Sequence, residues 1–135
     1  MRALTPVLGE RWLRIAHVEA EPKAPTDSEF LSGCALMVRA SACASGPFDP
    51  RFFLYIEDVE LSLRLRDAGG RLCVVPATSV IHRVGSAAGR GWTYHRHLAA
   101  GRVRLARKRW GLTAGLRAAG YFCATVLWDA LRGRL

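Results

Sequence analysis

The sequence lacks several features that define common classes of protein. It has no Cys-x-x-Cys pair and no stretch that resembles a secretory signal, which favours four reduced, mostly buried thiols in a cytoplasmic protein. Its longest strongly apolar run, residues 118–128, is shorter than the about 20 residues that a membrane-spanning helix needs. Aromatic residues make up only 9%, but half of the 135 residues are hydrophobic, which suits one modest core. The composition excludes multidomain and largely disordered proteins.

Acidic residues are scarce in the last third of the chain. The whole sequence carries 20 basic and 11 acidic residues, a formal net charge of +9. Residues 87–135 hold ten basic residues and one acid, so this segment accounts for the entire excess. Three explanations remain open: an anionic membrane surface, which we favour, nucleic acid, or a solvated arginine face without a partner. Specific nucleic-acid recognition is disfavoured because no known binding motif is present.

The pattern of apolar residues, prolines and glycines divides the chain into three parts. Residues 1–29 form a loop-rich lead-in without a sustained period. Residues 30–91 alternate short strand-like and helical stretches. Residues 92–135 form two helices, a basic amphipathic one from Trp92 and a more apolar one after Gly111. The basic helix is predicted to bury one stripe of residues: Ala99, Val103, Ala106 and Trp110.

The middle part is predicted to have an α/β arrangement. Residues 30–38 and 72–75 are short apolar runs typical of buried strands, and residues 80–82 form another extended piece. A short helical stretch follows Arg39, and a rigid turn spans residues 46–50, where Asp49 shapes the backbone. A helix over residues 57–68 ends at the two glycines that follow it.

Two acids, Glu57 and Asp58, open that helix directly after an aromatic, apolar stretch. Carboxylates in such surroundings can have a raised pKa and act as bases. Acids in the first turn of a helix also offset its macrodipole and cap free N–H groups, which stabilises by about 0.3–1 kcal/mol each. On spacing alone, the structural explanation is favoured over the catalytic one.

Four short motifs, in a fixed order along the chain, give a further indication of fold and function. They are Ser-Gly-x-x-Leu-x-x-Arg at residues 32–39, Gly-x-Phe-Asp-x-x-Phe-Phe at 46–53, Tyr-x-Glu-Asp-x-Glu-Leu-x-x-Arg at 55–64, and Val-Ile-His at 80–82. Together they resemble the C-terminal half of the catalytic domain of family 2, rhamnosyltransferase-like glycosyltransferases of the GT-A type. The resemblance implies the acceptor-side half of an α/β, Rossmann-like GT-A domain, with a helical C-terminal extension.

The resemblance also implies roles for individual residues. Asp58 would be the general base that takes the proton from an acceptor hydroxyl as it attacks a nucleotide-activated sugar with inversion, and Glu57 would orient the acceptor or Asp58. Tyr55, Gly33 and Arg39 would bind substrate. His82 would be a metal or diphosphate ligand, although a strand-end histidine without such a role is an equal alternative. Glu60 replaces the family's aspartate, and we interpret it as an exposed helix acid.

None of the motifs in this sequence corresponds to the family's nucleotide-binding half. That half supplies an Asp-x-Asp pair that holds a divalent cation, Mg or Mn, on the donor diphosphate, and no two aspartates here stand two apart. We therefore expect a chain that is inactive alone, either a fragment or truncated gene product, or one half of a split enzyme whose missing half is a separate chain. The expected ligands of the complete enzyme are a nucleotide-sugar donor and a glycan or lipid-linked acceptor, at the inner face of the membrane.

A function of another class also fits the sequence. The chain could be a non-catalytic module that binds a partner or a membrane surface. The strands predicted over residues 30–38 and 72–75 would leave an unpaired sheet edge, and such edges favour association.

Overall fold

The computed structural model of the chain describes residues 22–44, 46–81 and 92–132. These residues are mostly helical, and they also form one two-stranded antiparallel sheet. The sheet pairs Thr26 with Val74 and Asp27 with Cys73. The elements in chain order are β1 (Thr26–Asp27), a 3-10 helix (Ala40–Cys43), α1 (Glu57–Asp67), β2 (Cys73–Val74), α2 (Trp92–Trp110) and α3 (Leu112–Leu131).

Helix α1 begins with acids and ends at two glycines, as the sequence predicts. Gly69 has φ +81°, which a residue without a Cβ adopts readily. Its N–H donates to the Arg66 carbonyl at 2.9 Å, and the Gly70 N–H donates to the Leu65 carbonyl at 2.8 Å. These two bonds form a Schellman motif, which satisfies carbonyls at the end of the helix.

Helices α2 and α3 form a hairpin around Gly111, whose φ of +87° reverses the chain. The predicted break and both predicted helices are therefore confirmed. The two helices approach closely where α3 has a glycine: a Cβ on Gly115 would lie 2.9 Å from the Cβ of Arg107. Ala118, one turn further along α3, is only 1% exposed.

The main hydrophobic cluster lies between the start of α1 and the middle of α2. Phe52, Ile56 and Val59 are buried there together with Leu105 of α2. The buried stripe predicted for α2 is therefore correct only in part. Ala106 is buried, but Trp110 is 47% exposed, because the helix turns Leu105 rather than Trp110 toward α1.

The strand predicted over residues 30–38 is wrong, since the structure has no strand there. A strand needs a neighbouring strand to accept its backbone hydrogen bonds, whereas this segment donates to side chains of α1. The Leu31 N–H donates to Ser62 Oγ at 3.1 Å, and the Gly33 N–H donates to Asp58 at 2.9 Å. The unpaired sheet edge expected for this segment is consequently not formed, and β2 pairs with β1 instead.

Three further expectations meet different outcomes. The prediction of mostly buried thiols is wrong: Cys34 and Cys123 are exposed, and Cys43 and Cys73 are half-buried, because the helix hairpin and the loops leave them near the surface. The extended piece at residues 80–81 forms no strand, and Ile81 is fully exposed. In the described segments, no helix combines the length and the apolar character that a membrane crossing requires. The division into three parts stays a prediction.

Candidate functional site

Asp58 lies in the first turn of α1, half-buried, with its carboxylate facing the 31–34 segment. The Gly33 N–H donates to Oδ2 at 2.9 Å, and the Val59 N–H donates to Oδ1 at 2.8 Å. Each carboxylate oxygen has two lone pairs, so each keeps one for a further donor such as a sugar hydroxyl. The structure thus brings together two of the predicted site residues, Gly33 and Asp58, and fixes the orientation of the carboxylate.

Glu57 precedes Asp58 and has a different environment. Its Oε2 atom is buried without a hydrogen-bond partner among residues 22–44, 46–81 and 92–132. Burial raises the pKa of Glu57, and the nearby charge of Asp58 raises it further, against a backbone hydrogen bond that lowers it. Buried polar atoms are rarely left unpaired in proteins. The Glu57 oxygen is therefore a candidate contact for a polar ligand beside the fixed Asp58 carboxylate.

The backbone just before these acids is strained. Tyr55 and Ile56 have φ of +64° and +69°, the left-handed region that residues with a Cβ rarely adopt. A β-branched residue in this conformation costs on the order of 1–3 kcal/mol, and such residues cluster at functional sites. Tyr55, a predicted substrate-binding residue, is half-buried and packs against the core cluster. The strained turn directs α1 so that Glu57 and Asp58 occupy its first turn.

Helix α2 supports this turn through Gly101, a residue that the sequence analysis did not single out. A Cβ at this position would lie 3.0 Å from Cγ1 and 3.1 Å from Cβ of Ile56, and 3.1 Å from the Tyr55 carbonyl oxygen. These are closer than ordinary contacts, so the helix can approach the turn only because residue 101 has no side chain. A glycine in the interior of an amphipathic helix was the available signal.

A cluster of charges, which we call the Glu60 clamp, ties α1 to α2 and to the 46–50 turn. It comprises Glu60, Lys108, Asp49, Arg64 and Arg51. Lys108 Nζ lies 2.6 Å from Glu60 Oε1 and 2.7 Å from Asp49 Oδ2. The clamp holds α2 against the helix that carries the candidate acids.

Two predictions bear on this clamp. The interpretation of Glu60 as an exposed helix acid is wrong, because its side chain is only 3% exposed and is paired with Lys108 of α2 and with Arg64. Asp49 does shape the turn after Pro47, since its Oδ1 accepts the Arg51 N–H at 3.0 Å. The Arg51 side chain, with help from Lys108, holds the pKa of Asp49 well below its ordinary range, although burial acts in the opposite direction.

The remaining predicted site residues are not gathered around Asp58. Arg39 is exposed, immediately before the 3-10 helix, and lines an apolar groove of about 770 Å³ whose walls include Leu61 and Leu72 but neither Glu57 nor Asp58. His82 lies outside the described residues. Within those residues, no group of three or more histidine, cysteine, aspartate or glutamate side chains could hold a metal ion.

Comparison with known proteins indicates a relation to glycosyltransferases. The chain is 43% identical over 67 residues to proteins named N-acetylglucosaminyl-diphospho-decaprenol L-rhamnosyltransferase, from two strains of Mycobacterium tuberculosis (CDC 1551 / Oshkosh and ATCC 25618 / H37Rv). The matched residues are 49% of this chain, and the chain spans 22% of the length of these curated relatives. No family model and no solved structure matches the chain. The similarity is thus moderate and partial.

Proposed function

We propose that this chain provides the acceptor-side half of a GT-A-type glycosyltransferase, which transfers a sugar from a nucleotide-sugar to a glycan or lipid-linked acceptor with inversion. The observation that carries the proposal is the 43% identity to a rhamnosyltransferase over 67 residues. The paired acids on the strained start of α1 support it, because a positioned carboxylate is what sugar transfer needs. The relative's name describes an acceptor with a lipid diphosphate, so that class of acceptor is the first to test.

In the proposed reaction, Asp58 is the general base. A sugar hydroxyl is hardly ionised at neutral pH, so its oxygen attacks the anomeric carbon only as its proton is removed. The new carbon–oxygen bond forms on one face of the sugar, the bond to the nucleoside diphosphate breaks on the other, and the diphosphate leaves with the bonding electrons. The proton passes to the free lone pair of an Asp58 oxygen. The N–H groups of Gly33 and Val59 keep the carboxylate in place.

Glu57 is proposed to bind the acceptor next to the reacting hydroxyl. Its buried, unpaired Oε2 atom can accept a hydrogen bond from a second hydroxyl of the acceptor sugar. This oxygen has no hydrogen-bond partner among the described residues, so such a bond would satisfy a buried group and add its energy to acceptor binding. Tyr55 and Gly33 would complete the acceptor side, and Arg39 would contact substrate from the neighbouring groove.

We propose that other parts of the transferase bind the nucleotide-sugar donor. Among the described residues there is no group of three or more histidine, cysteine, aspartate or glutamate side chains for the donor's divalent cation, Mg or Mn, so we derive no step through the cation. A ligand role for His82 stays a prediction. We propose a cytoplasmic location, where nucleotide-sugars would be available to the complete enzyme.

A chimera tests this function directly. This chain, aligned through its matched residues, replaces the corresponding part of the mycobacterial rhamnosyltransferase, and transfer of rhamnose from its nucleotide-activated form is measured on a lipid-diphosphate N-acetylglucosamine acceptor. We expect transfer by the chimera, no transfer by this chain alone, and inversion at the anomeric carbon when the product is analysed by NMR. A chimera that folds, as judged by its thermal melt, and transfers no sugar would contradict the proposal.

A further inference from the structure

Helix α3 has two apolar faces, and one of them has no partner in the described structure. Its inner face packs on α2 through Gly115 and Ala118, with Phe122 close to the Arg102 guanidinium. Its outer face carries residues at spacings of four and seven, which align on one side of a helix. We call this set the leucine stripe: Leu112, Leu116, Cys123, Leu127 and Leu131.

The leucine stripe is highly exposed. Leu116 and Leu127, near its middle, are 63% and 62% exposed, and Leu131 at its end is 75% exposed. A helix that is apolar on both sides is normally buried on both sides. Single exposed leucines need no explanation, but a row of four leucines and a cysteine, interrupted at Gly120, along a 20-residue helix about 30 Å long indicates a binding surface.

Basic and aromatic residues border the stripe. Arg117 follows Leu116 on α3, and the Arg132 guanidinium lies 4.1 Å from the ring centroid of Trp128, whose side chain is 55% exposed. Tryptophan and arginine beside an apolar row are typical of helices that lie in the headgroup region of a bilayer.

From this arrangement we propose that α3 docks on an anionic lipid bilayer, with the leucine stripe inserted among the acyl chains and the arginines against the phosphates. Charge decides between this partner and a second copy of the chain. Pairing two leucine stripes would bring the arginines of both copies together, whereas anionic headgroups pair with them and contribute about 1 kcal/mol for each arginine near the surface. The proposal stands independently of sugar transfer.

Vesicle binding by the full chain tests the proposal, read by flotation and by the tryptophan fluorescence shift. The vesicles consist either of phosphatidylcholine alone or of phosphatidylcholine with about a third phosphatidylglycerol. We expect binding to the anionic vesicles that weakens as salt rises, and at least about tenfold weaker binding to the neutral ones. The double variant Leu116→Ser with Leu127→Ser should lose at least about tenfold in affinity. Arg117→Gln should lose about fivefold.

A matched control separates the stripe from general hydrophobicity. Met37 and Ile81 are 97% and 100% exposed and lie outside α3, so Met37→Ser with Ile81→Ser should bind anionic vesicles like the parent chain. Circular dichroism should show the same helix content in all variants. The proposal is overturned if the leucine variant binds as well as the parent. It is also overturned if the parent chain does not bind vesicles. A dimer that needs these leucines, or nucleic-acid binding through the arginines, would then explain the surface instead.

Discussion

Replacing Lys108 by methionine tests how far the Glu60 clamp stabilises the contact between α1 and α2. Methionine keeps the length of the side chain and removes its charge. After the change, the Glu60 carboxylate, only 3% exposed, keeps its salt bridge with Arg64, whose Nε lies 3.3 Å from Oε1. It also removes the 2.7 Å contact between Lys108 and Asp49, although Asp49 keeps Arg51.

The size of the effect follows from burial. Removing one partner of a fully buried pair costs about 3–5 kcal/mol, because a charge stays buried without compensation. An exposed pair contributes about 0–1 kcal/mol. Lys108 is 33% exposed and Arg64 remains, so we expect a loss of about 2 kcal/mol in the free energy of unfolding. In a protein of this size, that lowers the melting temperature by about 6 °C.

Urea unfolding of the full chain, followed by circular dichroism, measures this loss. Lys23→Met is the matched control, since Lys23 is exposed, and it should change stability by less than about 0.5 kcal/mol. The double variant Glu60→Gln with Lys108→Met should be more stable than Lys108→Met alone, because an amide is less costly to bury than an unpaired carboxylate. If Lys108→Met unfolds at the same urea concentration as Lys23→Met, the clamp does not stabilise the fold.

Three further predictions concern the same region. Gly101→Ala should destabilise the fold by about 1–3 kcal/mol, since its methyl would crowd Ile56 and the Tyr55 carbonyl. Gly120→Ala is the control: a Cβ there meets open space, so the variant should be more stable by about 0.5–1 kcal/mol. Thermal melts that rank the two variants otherwise would refute the close contact at Gly101. Glu57→Gln should raise the melting temperature at pH 7, because the raised pKa of Glu57 means that its charged form destabilises the fold. The gain in melting temperature should shrink as pH falls through the pKa of Glu57 in the folded protein. A gain that stays constant with pH would contradict this explanation. Asp49 has a lowered pKa in the fold. Its contribution to stability is therefore present above the pKa of an unfolded aspartate and is lost as pH falls below about 4. On acidification, the urea midpoint should fall less in Asp49→Asn than in the parent chain.

Local signals predicted the local elements correctly. The glycines at 69 and 70 end α1, and Gly111 separates α2 from α3, because each needs only the conformation of a few adjacent residues. The first-turn positions of Glu57 and Asp58 follow from the same helix start.

Features that depend on distant residues were missed. Residues 30–38 have a strand-like composition, but their N–H groups donate to Ser62 and Asp58, and no local pattern encodes that choice. The burial of Glu60 depends on Lys108, which is 48 residues away in the sequence. The left-handed turn at Tyr55 and Ile56 opposes the preference of a β-branched residue, and the turn packs against Gly101 of α2.

The central claim, that Asp58 is the base of a sugar transfer, is tested most directly by Asp58→Asn in the chimeric rhamnosyltransferase. Asparagine keeps the shape of the side chain but cannot take up the proton of the acceptor hydroxyl. We predict a fall in kcat of about 10²–10⁴-fold with little change in KM for the donor. Asp67→Asn, at the other end of α1 and exposed beside Arg109, is the control and should keep its activity. Equal rates for Asp58→Asn and the parent chimera would contradict the account.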